Sequence, residues 1–321
     1  MKKSTFSTLL AGLLLTVTSS YADLTADFNG VKGNADATSM EFIKKLDSIG
    51  YQAIAKNQNI QKFYVQKFQE KNVDLLSFFT MANVEKLRTL LLHNPDFGAY
   101  APFNMLFYKT QDQKENTTWY GHLDPDLMLN IIGEKDESTR KAFKEMIKPL
   151  DALAKKELKP SLEKKLEYTN ALPAKPLTKM VKKLDKIEDM ETFIEDFIEE
   201  HDSLFIKHNF IIAGFIDFKF EYEDTEQEFD KYDAYWVSSL CHFPFSNSVF
   251  NHGEPQAGLF APCSIYFYIP KGSNELHVGY ASVENWLATT GIKDEEMRKH
   301  MLEIDAEVTE TFKELGFELE K

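Results

Sequence analysis

Hydrophobic and polar positions along the chain predict the same series of elements twice. Apolar side chains at helical spacing predict a helix over residues 38–50, and residues 190–201 have the same pattern. Strand-like apolar runs follow each helix, at residues 62–68 and 73–79 in the first series and at residues 210–222 and 235–240 in the second. The repetition indicates that the chain is built from two similar halves.

The later elements are also predicted in pairs. In the first half they are a short helix capped by Asn83, a strand over residues 117–121, a helix beginning at Asp124-Pro125, and a charged helix beginning near Asp136. In the second half they are a short helix near residues 245–252, a strand over residues 275–280, a helix beginning after Ser282, and a charged helix beginning near Asp294. Helices and strands in this order predict the α+β class. We expect two tandem two-layer α/β sandwich domains, in which helices cover one face of a sheet.

Direct similarity between the halves supports an internal duplication. Residues 77–108 align with residues 237–268 without a gap, and further along "GEKDESTRK" (133–141) aligns with "GIKDEEMRK" (291–299). Three pairs of turn residues coincide in this alignment: Pro95 with Pro255, Gly98 with Gly258, and Pro102 with Pro262. Because turn residues rarely coincide by chance over such a length, we expect two copies of one domain.

The first residues have the pattern of a secretory signal. Lys2 and Lys3 precede an apolar stretch from Leu9 to Val17, and small residues follow up to Ala22. The predicted organisation is a signal peptide over residues 1–22, a first α+β repeat domain without cysteine over 23–155, a linker over 156–180 and a second repeat domain over 181–321. With cleavage after Ala22, we expect the protein in the periplasm if its source is a Gram-negative bacterium.

The overall charge limits the partners. The net charge is −14, and the predicted signal contains two lysines and no acids, so the mature chain is more acidic still. Such a chain repels phosphate backbones and anionic lipids, which makes nucleic acid a poor partner. No stretch is long and apolar enough to stay in a bilayer, so we expect no stable membrane insertion after signal cleavage.

Both cysteines of the chain lie in the second half. Cys241 aligns with Met81 and Cys263 aligns with Phe103, so the first half has apolar residues at both positions and both sites are expected to be buried. In an oxidising compartment, a disulfide between Cys241 and Cys263 is the first expectation. Two unlinked buried thiols, or a working redox or ligand-binding pair, are the alternatives.

The residues around the cysteines resemble a known pattern. Cys241 is followed by Pro255, Gly258 and then "PCSIYFY" from Pro262 to Tyr268. This arrangement resembles the bacterial family known as domain of unknown function 302. The resemblance covers most of the second half, and the first half only without the cysteines. It implies a small α+β domain, often found in secreted bacterial proteins, and it implies no settled activity.

No catalytic motif accompanies these residues. The chain has no CxxC, CxxCH, HExxH, GxSxG, GxGxxG or GxxxxGK[ST] sequence, which favours a non-enzymatic protein. We expect it to bind a small molecule or a periplasmic protein, with His242, Gly258, Pro262 and Tyr268 as candidate ligand-binding residues. The alternative is thiol-dependent redox chemistry, or metal or haem handling at Cys241, His242 and Cys263. No other cofactor is predicted.

Overall fold

The computed structural model describes residues 22–111 and 116–320. The predicted signal peptide therefore lies outside the described residues, apart from Ala22. Within the described residues, no helix is both long enough and apolar enough to cross a membrane. The chain forms two six-stranded antiparallel sheets with helices packed on them.

The twelve strands divide equally between the two halves. They are β1 (Asp23–Lys32), β2 (Gln52–Asn57), β3 (Val73–Ala82), β4 (Phe103–Thr110), β5 (Thr117–Gly121) and β6 (Leu162–Tyr168), followed by β7 (Leu177–Lys183), β8 (Phe210–Asp217), β9 (Tyr232–His242), β10 (Cys263–Pro270), β11 (Glu275–Ala281) and β12 (Glu318–Leu319).

The α-helices divide in the same way. They are α1 (Asp36–Ile43), α2 (Ile60–Phe68), α3 (Val84–His93), α4 (Pro125–Ile131) and α5 (Glu137–Leu158), followed by α6 (Met190–Lys207), α7 (Phe218–Asp224), α8 (Phe243–Ser246), α9 (Val283–Thr289) and α10 (Glu295–Glu314). A short 3-10 turn precedes β4 and another precedes β10; we call them the first-half turn (Pro95–Tyr100) and the second-half turn (Pro255–Phe260).

The two sheets have the same strand order. The first sheet runs β2-β3-β4-β5-β1-β6, and the second runs β8-β9-β10-β11-β7-β12. Each strand of one half therefore has a counterpart at the same place in the other half, and the Ala-Pro bonds before Pro102 and Pro262 are both cis. The predicted α+β class, with two similar two-layer domains, is confirmed.

Aspartate caps fix the starts of α4, α5 and α10, as the sequence predicts, whereas Ser282, predicted to cap α9, makes no side-chain cap hydrogen bond there. Asp124 accepts hydrogen bonds from the backbone N–H groups of residues 126 and 127 at the start of α4. Asp136 and Asp294 each accept a hydrogen bond from the backbone N–H group of the third residue of α5 and α10, respectively. An N-cap side chain satisfies backbone donors that have no partner within the helix, so these positions end the preceding loops.

Three sequence predictions need correction. Residues 62–68 were expected as a strand because they contain aromatic and β-branched side chains, but they belong to helix α2. The range 210–222 is a strand only to Asp217, where the Asp217 carboxylate caps helix α7. Strands β1 and β7 open the two halves and were not predicted at all, although they lie inside their sheets.

The predicted linker is also largely structured. Within residues 156–180 lie the end of α5, the whole of β6 and the start of β7. The strand β6 forms the edge of the first sheet and pairs with β1, and most of its side chains are exposed or half-buried. Its charged composition is therefore that of an exposed edge strand, which resembles a linker in sequence.

The halves pack against each other reciprocally through their turns. The first-half turn lies against β10 and β11, and the second-half turn lies against β4. A side chain at Gly98 would clash with the Tyr235 hydroxyl and with Cβ of Tyr266, and one at Gly258 would come within 2.8 Å of Phe78. The aligned glycines thus allow each turn to approach the sheet of the opposite half.

Polar contacts reinforce both sides of this interface. On one side Asn104 of β4 donates a hydrogen bond of 3.0 Å to the Gly258 carbonyl. Four tyrosines of the second half donate their hydroxyls to the first half between residues 84 and 96: Tyr222 to the Val84 carbonyl, Tyr232 to Leu91, Tyr235 to Pro95 and Tyr266 to the Asp96 carboxylate. Asp96 also forms an ion pair with Lys179 of β7. Because nearly all these groups are buried, each bond satisfies a donor that water cannot reach.

Candidate functional site

The fold brings Cys241, His242 and Cys263 to one pocket inside the second half. The pocket lies between the strands β8–β11 and helices α8, α9 and α10, and most of its lining is apolar. It leaves about 40 Å³ for the centres of water-sized molecules. That is enough for a few non-hydrogen atoms. We call it the second-half pocket.

The predicted disulfide is not formed in the structure. Both Cys241 and Cys263 carry free thiols. Cys263 is paired across the sheet with Leu240, so Cys241 lies one residue out of register on the neighbouring strand. The two thiols are near each other but do not form a directly opposed pair, and in the structure both are unlinked and half-buried.

Burial keeps both thiols protonated at neutral pH. It raises the pKa of Cys241 to about 11, against a smaller opposing effect of a hydrogen bond with Ser246. It raises the pKa of Cys263 further, because Cys241 and Asp305 also lie close to that thiol. A protonated thiol is a poor nucleophile and a poor metal ligand, so the site lacks the acidic thiolate of a reactive cysteine.

His242 has a structural partner inside the pocket. Its Nδ1 accepts a hydrogen bond of 3.1 Å from the backbone N–H of Phe245, so the side chain caps the short helix α8. Burial lowers the pKa of His242, which favours the neutral ring that this acceptor role requires. Within residues 22–111 and 116–320, no group of three or more His, Cys, Asp or Glu side chains is arranged to hold a metal ion.

Asp305 is a site residue that the sequence prediction missed. It lies on α10 between Ile304 and Val308, which also line the pocket, and its carboxylate accepts a hydrogen bond of 3.1 Å from the backbone N–H of Val283. Burial raises the pKa of Asp305 to about 6. A carboxylate on the apolar face of an amphipathic helix was the available signal.

The first half is filled where the second half is open. The counterpart of Cys263 is Phe103, whose ring contacts Tyr51 and His122 edge-on at centroid distances of 6.2 Å and 5.5 Å. Met81, the counterpart of Cys241, is also fully buried. Two smaller side chains in the second half therefore account for the free volume there.

A second, smaller cavity lies between the halves. It leaves about 30 Å³ for water-sized molecules, and its lining consists of aligned pairs from both halves, including Pro102 with Pro262 and Phe103 with Cys263. Cys263 and Trp286 line both this cavity and the second-half pocket. The candidate residue Pro262 lines this cavity between the halves and does not line the second-half pocket.

The other two candidate residues lie elsewhere. Gly258 is in the second-half turn, against Phe78 of the first half. The Tyr268 ring stacks on His277 at a centroid distance of 4.8 Å and does not line the second-half pocket. Both serve packing in this structure, since Gly258 allows close approach at the interface and Tyr268 belongs to a stacked row of aromatic side chains.

Comparison with known proteins gives one point of reference. No protein-family model matches the chain, and no curated protein matches it. The crystal structure of an uncharacterized conserved DUF302 protein from Bacillus stearothermophilus aligns with a TM-score of 0.36 and 15% sequence identity, over 41% of this chain and 98% of that chain.

Proposed function

We propose that this chain is an exported, non-enzymatic binding protein that holds a small, mainly apolar molecule in the second-half pocket. The observation that carries the proposal is the free volume beside Cys263, at the position where the first half has the ring of Phe103. An apolar pocket with a few polar groups at its wall is the usual form of a small-molecule site.

The polar groups of the pocket define the ligand further. His242 is neutral and Asp305 has a pKa near neutrality, so both offer hydrogen bonds without requiring a fully charged partner. The thiols of Cys241 and Cys263 add soft, polarisable contacts. These features favour a neutral molecule with an apolar body and one polar group near Asp305.

Xenon is a suitable first probe because it fits small apolar cavities without needing hydrogen bonds. We expect titration of the wild-type protein with xenon to shift the ¹²⁹Xe resonance saturably. The variant Cys263→Phe introduces the first-half residue and fills the space, so it should lose the saturable shift. Cys263→Ser keeps the space and should retain it.

Thermal unfolding of each variant shows whether it is folded. If Cys263→Phe does not fold, Cys263→Leu provides a smaller filling side chain for the same test. Saturable binding that persists in a folded, filled variant contradicts the proposal. Native mass spectrometry of the wild-type and Cys263→Phe proteins then shows whether a natural ligand co-purifies only with the open pocket.

The alternative function, thiol-dependent redox chemistry or metal or haem handling, has weaker support. Its favourable observation is that Cys241 and Cys263 are both free and near each other. The raised pKa values of both thiols oppose it, since metal binding and thiol exchange require the thiolate. Stoichiometric zinc, copper or haem in the purified protein that is lost in Cys241→Ser with Cys263→Ser would favour this alternative.

Export is tested separately from binding. Expression of the full chain in a Gram-negative host should place the mature protein in the periplasmic fraction, with Asp23 as its first residue. A protein that stays in the cytoplasm with residues 1–22 attached contradicts the export part of the proposal and leaves the binding test intact.

A further inference from the structure

A polar cleft lies in the first half, beside the ends of β1, β4 and β5 and against helix α5. It leaves about 210 Å³ for water-sized molecules. Its lining includes Asn29, Tyr120, His122, Asp151 and Lys155. We call it the first-half cleft; neither the sequence prediction nor the proposed function assigns it a role.

Two polar groups in the wall of the cleft have no partner. Tyr120 is 2% exposed, and its hydroxyl is buried without a hydrogen bond. The side-chain oxygen of Asn29, which lies opposite Tyr120 across the β1–β5 pair, is also buried and unpaired. Buried polar atoms without partners are rare and destabilising, so two in one cleft indicate groups held ready for a ligand.

The His122–Asp151 pair supplies a fixed carboxylate. Nδ1 of His122 lies 2.7 Å from the Leu123 carbonyl and Nε2 lies 2.9 Å from Oδ1 of Asp151. Both partners are acceptors, so both ring nitrogens donate and the ring is protonated. Burial opposes that charge, but Asp151 and the two hydrogen bonds outweigh it and raise the pKa of His122. One Asp151 oxygen is thereby oriented and the other remains for a ligand.

Hydrogen-bond acceptors predominate around the cleft. Asp27 and Asp124 also line it, although Asp124 is engaged as the cap of α4. Two cations face these acceptors: the protonated His122 ring, which is paired with Asp151, and Lys155, whose ammonium lies 3.9 Å from the Glu163 carboxylate. A ligand that enters this cleft is therefore favoured if it brings N–H donors and a positive charge.

We propose that the first-half cleft binds the primary ammonium group of a small amine. The three N–H donors of such a group match three acceptors: the Tyr120 hydroxyl oxygen, the Asn29 side-chain oxygen and the Asp151 carboxylate. This site is independent of the second-half pocket, which lies in the other half of the chain.

The second half lacks every part of this arrangement. Tyr280 and Thr309 occupy the positions of His122 and Asp151 and satisfy each other through a hydrogen bond of 2.8 Å. Val278 and Met180, both buried, face each other where the first half has Tyr120 and Asn29. The amine site is therefore specific to the first half, which offers an internal comparison.

The test uses three probes of similar shape: butylammonium, butan-1-ol and butyrate. Saturation-transfer NMR on the mature full-length protein should show butylammonium binding, with butan-1-ol and butyrate at least about ten-fold weaker. Tyr120→Phe removes only the unpaired hydroxyl. It should weaken butylammonium binding about ten-fold while keeping or raising the melting temperature, because the variant buries one unpaired polar atom fewer.

Matched variants separate this proposal from the previous one. Cys263→Phe should leave butylammonium binding unchanged, and Tyr120→Phe should leave xenon binding unchanged. Butyrate binding as tight as butylammonium, unchanged butylammonium binding in folded Tyr120→Phe, or no butylammonium binding by the folded wild-type protein would each overturn the proposal. If Tyr120→Phe does not fold, Asp151→Asn applies the same test to the carboxylate.

Discussion

The two halves of this molecule share a backbone plan and differ in where they leave space. In the first half, Phe103 and Met81 fill the region between sheet and helices, and a polar cleft opens beside His122 and Asp151. In the second half, the same region is open beside Cys263, and the position of the cleft is closed by Tyr280 and Thr309. Backbone hydrogen bonds form the same sheet in both halves. The volume and polarity of the side chains therefore determine which site each half carries.

The interface shows the same contrast. The sheet of the second half presents tyrosine hydroxyls to the first-half turn, while the sheet of the first half meets the second-half turn with Phe78 and Leu106. Asn104 of β4 also donates a hydrogen bond to the Gly258 carbonyl, so the side of the second-half turn combines polar and apolar contacts. The tyrosine hydroxyls distinguish the side of the first-half turn.

Exchanging the aligned pair Phe103 and Cys263 should have the largest effect on the comparison. Phe103→Cys removes most of a buried ring and enlarges the cavity between the halves, so it should cost about 3 kcal/mol of unfolding free energy. Cys263→Phe enters existing space, so its effect should be clearly smaller. Urea unfolding of both variants measures the difference, and equal losses would show that the two regions are packed alike.

The aligned glycines give the next largest effect. Gly98→Ala places Cβ against backbone-proximal atoms of Tyr266, which cannot move easily, and should cost about 3 kcal/mol. Gly258→Ala meets the edge of the Phe78 ring at 2.8 Å, which can shift, and should cost about 1 kcal/mol. Melting temperatures of the two variants test this order; a reversal would mean that the first-half turn is the more adaptable one.

Asp96 and its aligned counterpart Gln256 compare the two turns at the interface. Asp96→Ala leaves the Tyr266 hydroxyl unpaired and removes the ion pair with Lys179, so it should cost about 2 kcal/mol. Gln256 contacts Glu254, which lies two residues earlier in the chain. Gln256→Ala should therefore lose only a few tenths of the unfolding free energy that Asp96→Ala loses. Chemical unfolding of both variants measures the two losses of unfolding free energy. Similar losses would show that Asp96 does not stabilise the interface more than Gln256 does.

The pH dependence of stability should show the smallest effect. The folded pKa of Asp305 is raised to about 6, so the folded state binds a proton more tightly than the unfolded state does. Stability from this group is therefore greatest at low pH and falls as the pH rises from about 4 through about 6. Asp305→Asn should be more stable than wild type above pH 6, on the order of 2 kcal/mol, and should lose that advantage near pH 4.

The control for this measurement is Glu303→Gln on the exposed face of the same helix. Its stability relative to wild type should stay nearly constant between pH 4 and pH 7. If Asp305→Asn gives the same flat difference, the burial of Asp305 does not determine the pH dependence of stability.

The repeated pattern in the sequence was sufficient for the fold class, because turn residues and apolar periodicity are local properties. The caps Asp124, Asp136 and Asp294 were predictable for the same reason. Helix α2 was not predictable in this way. Its Tyr64 hydroxyl donates a hydrogen bond to Ser246 of the other half, and no local pattern in the sequence contains that contact. The strands β1 and β7 were missed because their partners lie far along the chain.

The sequence by itself determined that one domain plan occurs twice and that both cysteines lie in the second copy. Only the tertiary structure decided that Cys241 and Cys263 stay unlinked, that Asp305 joins them, and that Tyr120 and Asn29 remain without partners. The physical reason is that element type follows from neighbours along the chain, whereas register, cavity volume and hydrogen-bond satisfaction depend on residues that meet only after folding.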